Sequence, residues 1–423
     1  MAKVFMGFRA GAAQAAAAAT QYYPATNGGS GSALTNEALL QIRYAVAGTF
    51  SNLQWYVESN SLSGVATSRL RKNGANVNLS ISVTAGTTGF FEDAINTDTI
   101  SANDFMSISR VAPAGSGTST WGSGGLTYNA STDNYLRCMN AYVSFALASS
   151  TVYLCISGGG GASSTESDAQ ATIRSSFTCQ NFSVYSGANS RPNTTTFRTR
   201  KNGANGNMSV SVPSSTAGLF EDNTNTDSIA NTDTYNYSIT TGAGTATLSA
   251  LVSVALINTS LKSTIINSNT VSGVAVNQNV TTNIAFGGTT IANTTEATRS
   301  FRTGGDFTLS NFMIIVSANT TNVTTSVRPR KASANINQVI SVTSSATGLF
   351  EDNTNTDSIV ATDKMNYQIA VPAGSGTITI KQFSILFTGA TTAIKTFLGL
   401  ADASTKTVEG LARASVKTWE GLA

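Results

Sequence analysis

One set of charged residues occurs three times. Arg69-Leu70-Arg71-Lys72-Asn73-Gly74-Ala75-Asn76 returns as Arg198-Thr199-Arg200-Lys201-Asn202-Gly203-Ala204-Asn205, and in altered form as Arg328-Pro329-Arg330-Lys331-Ala332-Ser333-Ala334-Asn335. Downstream, Phe91-Glu92-Asp93 matches Phe220-Glu221-Asp222 and Phe350-Glu351-Asp352. An Asn-Thr-Asp group follows, ending at Asp98, Asp227 and Asp357, and then a further aspartate at 104, 233 and 363. Four chemistries would suit such a set. Guanidinium and carboxylate groups form directional, bidentate ion pairs. This makes Arg71, Glu92, Asp93, Arg200, Glu221, Asp222, Arg330, Glu351 and Asp352 structural ion-pair candidates, the basic strand pairing with the Phe-Glu-Asp segment of its own domain or a neighbouring one. The alternating oxygens of Glu221, Asn223, Asn225 and Asp227 suit calcium, which takes roughly six to eight of them. Against this, the EF-hand glycine and terminal glutamate are missing, and Ala94 stands where the second repeat has Asn223. Glu221 and Asp222 could form a glycosidase pair, but adjacent residues on a strand point to opposite faces. The Arg-x-Arg-Lys group could contact phosphate, but a net charge of +3 is too balanced for a dedicated nucleic-acid binder. Ion pairing is the preferred reading, and no catalytic residue or cofactor is expected.

The rest of the composition narrows the chemistry further. Charged residues make up 11% of the 423, where about a quarter is usual, and there is no histidine. That excludes a Ser-His-Asp triad, a Cys-His pair and His-ligated zinc. Cys138, Cys155 and Cys179 fit no zinc spacing, allow at most one disulfide, and read as small apolar residues. With 41% hydrophobic residues the chain is not a disordered one. Near the start, Arg9 separates the apolar patch at 4–8 from an alanine-rich run, which is not the order of a secretory signal. No run approaches the roughly 20 apolar residues that span a membrane.

The elements that position the charges follow from the repeat. Its copies lie 129 and 130 residues apart, which suits a whole small domain used three times. Leu79, Ile81 and Val83 alternate with Ser80 and Ser82, as Met208, Val210 and Val212 do with Ser209 and Ser211. Such a period-two pattern predicts strands with one buried face. Asn73-Gly74 and Asn202-Gly203 predict tight hairpin turns with two positive φ angles, so Ala332-Ser333 predicts a different turn in the third copy. The expected fold class is all-β: three tandem antiparallel β-sandwich, jelly-roll-like domains. Their boundaries fall at 21–130, 131–260 and 261–392, after an N-terminal Ala-rich arm at 1–20.

Residues 393–423 change character. Units of eleven residues repeat Lys-Thr-x-x-Gly-Leu-Ala at 395, 406 and 417. An eleven-residue period would suit a helix, but glycine in every unit and the Thr and Val content favour short β-arches. So short a segment must dock on something, with Phe397, Val408 and Trp419 as its assembly anchors. Trp55, Tyr56, Trp121 and Tyr153 read as core or interface aromatics, or, where exposed, as platforms for sugars.

The triplicated module resembles a β-sandwich module of bacteriophage structural proteins, and the terminal units resemble short repeats that end phage virion proteins. Leu398, Glu409 and Glu420 stand where asparagine is common in those repeats. The resemblance implies a non-enzymatic capsid-decoration, head-fibre or tail-associated component on the virion exterior, in symmetric copies contacting itself and other virion proteins. No nucleic acid or membrane insertion is expected. A receptor-binding protein recognising host surface glycans and a microbial surface filament subunit are the alternatives.

Overall fold

The computed structural model describes residues 3–9, 13–15, 20–28, 35–131, 134–145, 148–158, 161–258, 262–287, 292–389, 396–397, 400–401, 407–408 and 411–412. The described residues are all-β, with six main antiparallel sheets in a propeller-like ring and three single-turn 3-10 helices at Glu37–Leu39, Glu166–Asp168 and Glu296–Arg299. Among the described residues no helix is long and apolar enough to cross a membrane.

Each repeat builds two sheets from eight principal strands, in one recurring order. In the first repeat, one sheet (the A-sheet) runs Lys3–Arg9, Thr118–Ala130, Gly48–Asn60, Gly89–Ile100. The other (the B-sheet) runs Thr20–Pro24, Phe105–Val111, Ala66–Lys72, Ala75–Val83. Counted along the repeat, the A-sheet takes strands one, eight, three and six, and the B-sheet two, seven, four and five. The second repeat gives the same order from Asn134–Phe145 to Leu248–Asn258, and the third from Lys262–Asn277 to Thr377–Gly389. In the third, strand five is split into Ala334–Asn335 and Ile340–Val342. The two sheets face one another across a shared core. Trp55 of the A-sheet donates its indole N–H to Ser68 of the B-sheet at 2.9 Å and meets Phe8, Tyr23 and Trp121 edge-on. Phe182 stacks on Tyr237 in the second repeat, and Phe312 and Phe383 on Tyr367 in the third.

The described residues of the expected N-terminal arm are part of the first repeat. Lys3–Arg9 pairs along Ser123–Asn129 as strand one of the first A-sheet, and Ala13–Ala15 adds to the same neighbour. The cause is the apolar patch read above: Val4, Phe5, Met6 and Phe8 are buried, and burying them outweighs the cost of ordering the segment.

The hairpin of the third repeat is also not the predicted exception. Ala332 and Ser333 hold φ of 47° and 64°, beside 51° and 81° for Asn73-Gly74 and 51° and 76° for Asn202-Gly203. The turn is imposed on residues that disfavour it, because Arg330 reaches around it to the Ser333 carbonyl and the Asn335 side chain. Asn73 also accepts from the Phe105 amide and donates to Asp104, bonds that alanine cannot supply. The double substitution Ala332→Asn, Ser333→Gly is therefore expected to stabilise the protein by about 2 kcal/mol, read as a raised urea midpoint with unchanged slope.

Residues 390–423 form a separate unit. Thr396–Phe397 pairs with Leu400–Ala401, and Thr407–Val408 with Leu411–Ala412, so two successive eleven-residue units each carry a two-residue ladder.

Candidate functional site

The triplicated charges form three principal kinds of contact, and the partners differ from those the sequence suggested. The first kind is a clasp. Arg71 does not pair with Glu92 or Asp93. Its guanidinium forks onto Glu37, with Nε to Oε1 at 2.7 Å and a terminal nitrogen to Oε2 at 2.9 Å, and also reaches Asn76 and the Gly74 carbonyl across the turn. Arg200 does the same with Glu166 at 2.8 Å on both limbs, and Arg330 with Glu296 at 2.9 and 3.1 Å. The glutamate lies 34 residues upstream each time and opens a single-turn helix. Tyr22 and Tyr153 lie beneath Arg71 and Arg200, at 5.5 and 5.7 Å. Partial burial works against charge on Glu37, but the Arg71 fork and the Ser107 hydroxyl hold its carboxyl below the usual range.

The second kind is a stitch. Strands five and six end the two sheets of a repeat, so each has an unpaired row of amides. Two buried aspartates close that gap. Asp93 accepts from the Ser80 amide at 2.8 Å and from the amides of Ile95 and Asn96; Asp98 accepts from the amides of Asn78 and Leu79 at 2.9 and 2.8 Å. Asp222 takes Ser209 and Asn225, and Asp352 takes Val339 and Asn355, in the same way. These three carboxylates were ion-pair candidates; they pair with backbone and asparagine amides instead, because the edge strand presents donors and no cation.

The third kind joins different repeats. Arg43 of the first pairs with Glu221 of the second at 2.7 Å; Arg174 of the second pairs with Glu351 of the third; Arg302 of the third returns to Glu92 of the first. Glutamine side chains reinforce two of these seams. Gln54 bonds both backbone groups of Arg302 at 2.7 and 2.9 Å, and Gln382 both of Thr172 at 3.2 and 3.1 Å. At the same two seams Arg299 meets Glu58, and Lys381 meets Asp168. Each seam joins the helix-bearing side of one B-sheet to the outer face of the next A-sheet, and the order first to second, second to third, third to first closes on itself. Strand one of every repeat touches strand one of the other two. Phe5 of the first repeat belongs to the apolar core of the third and packs on Phe301. The Arg43–Glu221 pair is only partly exposed. A double-mutant cycle with Arg43→Gln and Glu221→Gln is expected to give a coupling of about 1 kcal/mol, reduced in 1 M salt.

The calcium candidates Glu221, Asn223, Asn225 and Asp227 have partners within the protein. Glu221 is held by Arg43, Asn223 accepts from Asn181, Asn225 donates to Asp222, and Asp227 is buried under the hydroxyls of Thr199 and Tyr235 at 2.6 and 2.9 Å. The oxygens of Glu221, Asn223 and Asp227 thus go to separate partners. Among the described residues no group of three or more His, Cys, Asp or Glu is placed to hold a metal ion. The three cysteines are buried free thiols, and burial pushes those of Cys138 and Cys155 up to about 12. Trp55 and Trp121 are fully buried. Among the described residues the large exposed apolar side chains are Val65, Ile95, Leu349 and Val360, none of them aromatic. Of the assembly anchors, Phe397 and Val408 lie in the ladders described above, and Trp419 lies outside the described residues.

Sequence reasoning missed two recurring features. Glu37, Glu166 and Glu296 carry the repeat's own offsets of 129 and 130, so extending the comparison upstream would have found the clasp partners. Asn52, Asn181 and Asn311 recur likewise, each with positive φ at a bulge in strand three.

No protein-family model matches the chain, and no curated protein does. Among solved structures, a similar chain is described as "The Triple Jelly Roll Fold and Turret Assembly in an Archaeal Virus", at 14% identity over 91% of each chain, with a TM-score of 0.18. At that score the likeness carries no argument.

Proposed function

We propose that the chain is a non-enzymatic structural component of a bacteriophage particle, a capsid-decoration, head-fibre or tail-associated protein on the virion exterior. In this reading it consists of three tandem jelly-roll-like β-sandwiches, at about 3–130, 134–258 and 262–389, and assembles in symmetric copies with itself and other virion proteins. The observation that carries it is where the charge goes. The second arginine of each basic group, the Glu-Asp pairs and the Asn-Thr-Asp aspartates are spent on clasps, stitches and seams inside the fold, which is how a scaffold uses charge and not how a catalyst does. The strand order one-eight-three-six against two-seven-four-five supports the jelly-roll reading. The phage resemblance of the module and of the terminal units supports the location. Residues 394–423 are the docking segment, with Phe397, Val408 and Trp419 as its anchors.

Immunogold electron microscopy of purified particles, with antibodies against the recombinant chain, tests this. Regular label on capsid or tail is expected; label on cell-surface filaments, or none on particles, would overturn it. A chain lacking 394–423 is expected to stay folded and lose the particle.

A further inference from the structure

Each repeat sets two arginines along the outer face of its B-sheet, and the clasp consumes only one. Two residues before Arg71, Arg69 is exposed, and its guanidinium has no side-chain partner among the described residues. Arg198 is in the same state beside Arg200. Arg328 is half-buried and bonds the Ser326 hydroxyl at 2.6 Å, with no carboxylate. The surroundings are hydroxyl-rich: Arg69 sits in register between Ser80 and Ser109, and Arg198 between Ser209 and Ser238. Among the described residues the arginine at this position has no carboxylate partner in any of the three repeats, and in the first two it is exposed.

We propose that these faces bind an acidic polysaccharide, with Arg69, Arg198 and Arg328 each taking a carboxylate of one polymer chain. A guanidinium fork matches a carboxylate geometrically, and serine hydroxyls can donate to and accept from sugar hydroxyls. One exposed pair is weak, but three on one chain act together on a polymer that spans them. Duplex nucleic acid fits poorly, because it calls for a continuous basic stripe and here the charges are single and separated. The inference does not depend on where the chain sits on a particle.

Biolayer interferometry on immobilised polygalacturonate, with the full chain in 50 mM salt, is the test. Binding is expected, with a loss of about tenfold or more by 0.3 M salt. Arg69→Gln or Arg198→Gln should each weaken it about 2- to 5-fold, and the triple variant with Arg328→Gln about 30-fold or more. Thermal unfolding of the variants should stay at the wild-type midpoint. Absence of binding, equal binding to neutral dextran, a triple variant that binds like wild type, or tighter binding to single-stranded DNA would each overturn the proposal.

Discussion

Replacing Asp222 by alanine is expected to lower the free energy of unfolding by about 3 kcal/mol. Asp222 is buried and holds the Ser209 amide of the facing sheet on one oxygen and the Asn225 amide on the other. Removing it strands donors at the seam between strands five and six, and a stranded buried donor costs more than the bond it lost was worth. Asp222→Asn keeps one acceptor oxygen and should cost about 1 kcal/mol. The same carboxylate gives an acid dependence. Burial alone would raise its carboxyl, but the Asn225 side chain and the amides of Asn225 and Ser209 outweigh this and hold it below the usual aspartate range, as happens at Asp93 and Asp352. A depressed native value means that the unfolded chain binds more protons near pH 4. The stabilisation is therefore present above about pH 4 and lost as pH falls through the native values below it. Urea midpoints followed from pH 7 down to pH 2 should fall in that window, and less steeply in Asp222→Asn, which has one fewer such carboxylate.

Gly7→Val is expected to cost at least about 3 kcal/mol and to act chiefly on the seam between the first and third repeats. Gly7 lies opposite Gly125 in strand one, and a Cβ added there would fall 2.1 Å from the backbone oxygen of Phe286. The three nearest atoms are all backbone of Phe286 and Gly287, so no flexible side chain can move aside. Two residues away, Phe5 fills the core of the third repeat, so lifting strand one also empties that core. Amide exchange should rise in 3–9 and 280–287 before it rises in the second repeat. Gly161→Ala, where an added Cβ meets open space, should leave stability unchanged. Equal destabilisation by both substitutions, or exchange rising uniformly, would contradict the role given to Gly7.

The threefold plan was legible because spacing survives in one dimension: the fixed offsets exposed the repeat, and Leu79, Ile81 and Val83 exposed strands with one buried face. Partner choice was not legible, for a physical reason. Spacing says which residues recur, whereas a seam depends on which repeat lies alongside. Arg43 and Arg302 each lie at the end of a two-residue strand after the single-turn helix, but Arg174 lies two residues beyond its strand and still reaches Glu351. No offset comparison links these three. The Ala332-Ser333 turn shows a local preference overruled: the Arg330 grip and the pairing on either side fix a conformation that the two residues do not favour. The N-terminal segment misled in the opposite direction, since its alanine run drew attention away from the apolar residues at 4–8 that build strand one.

The closed order of seams has a consequence for what this chain can become. A ring of three separate subunits falls apart on dilution, and any substitution in it appears three times over. Here one polypeptide carries all three thirds, so the count is fixed at synthesis and dilution cannot dissolve it. Each third is also free to drift alone. At the single-turn helices the first repeat has Leu39, the second Asp168 against Lys381, and the third Arg299 against Glu58. Such a molecule can keep threefold proportions while presenting three unlike corners, and so can fit a surface that has no threefold symmetry of its own.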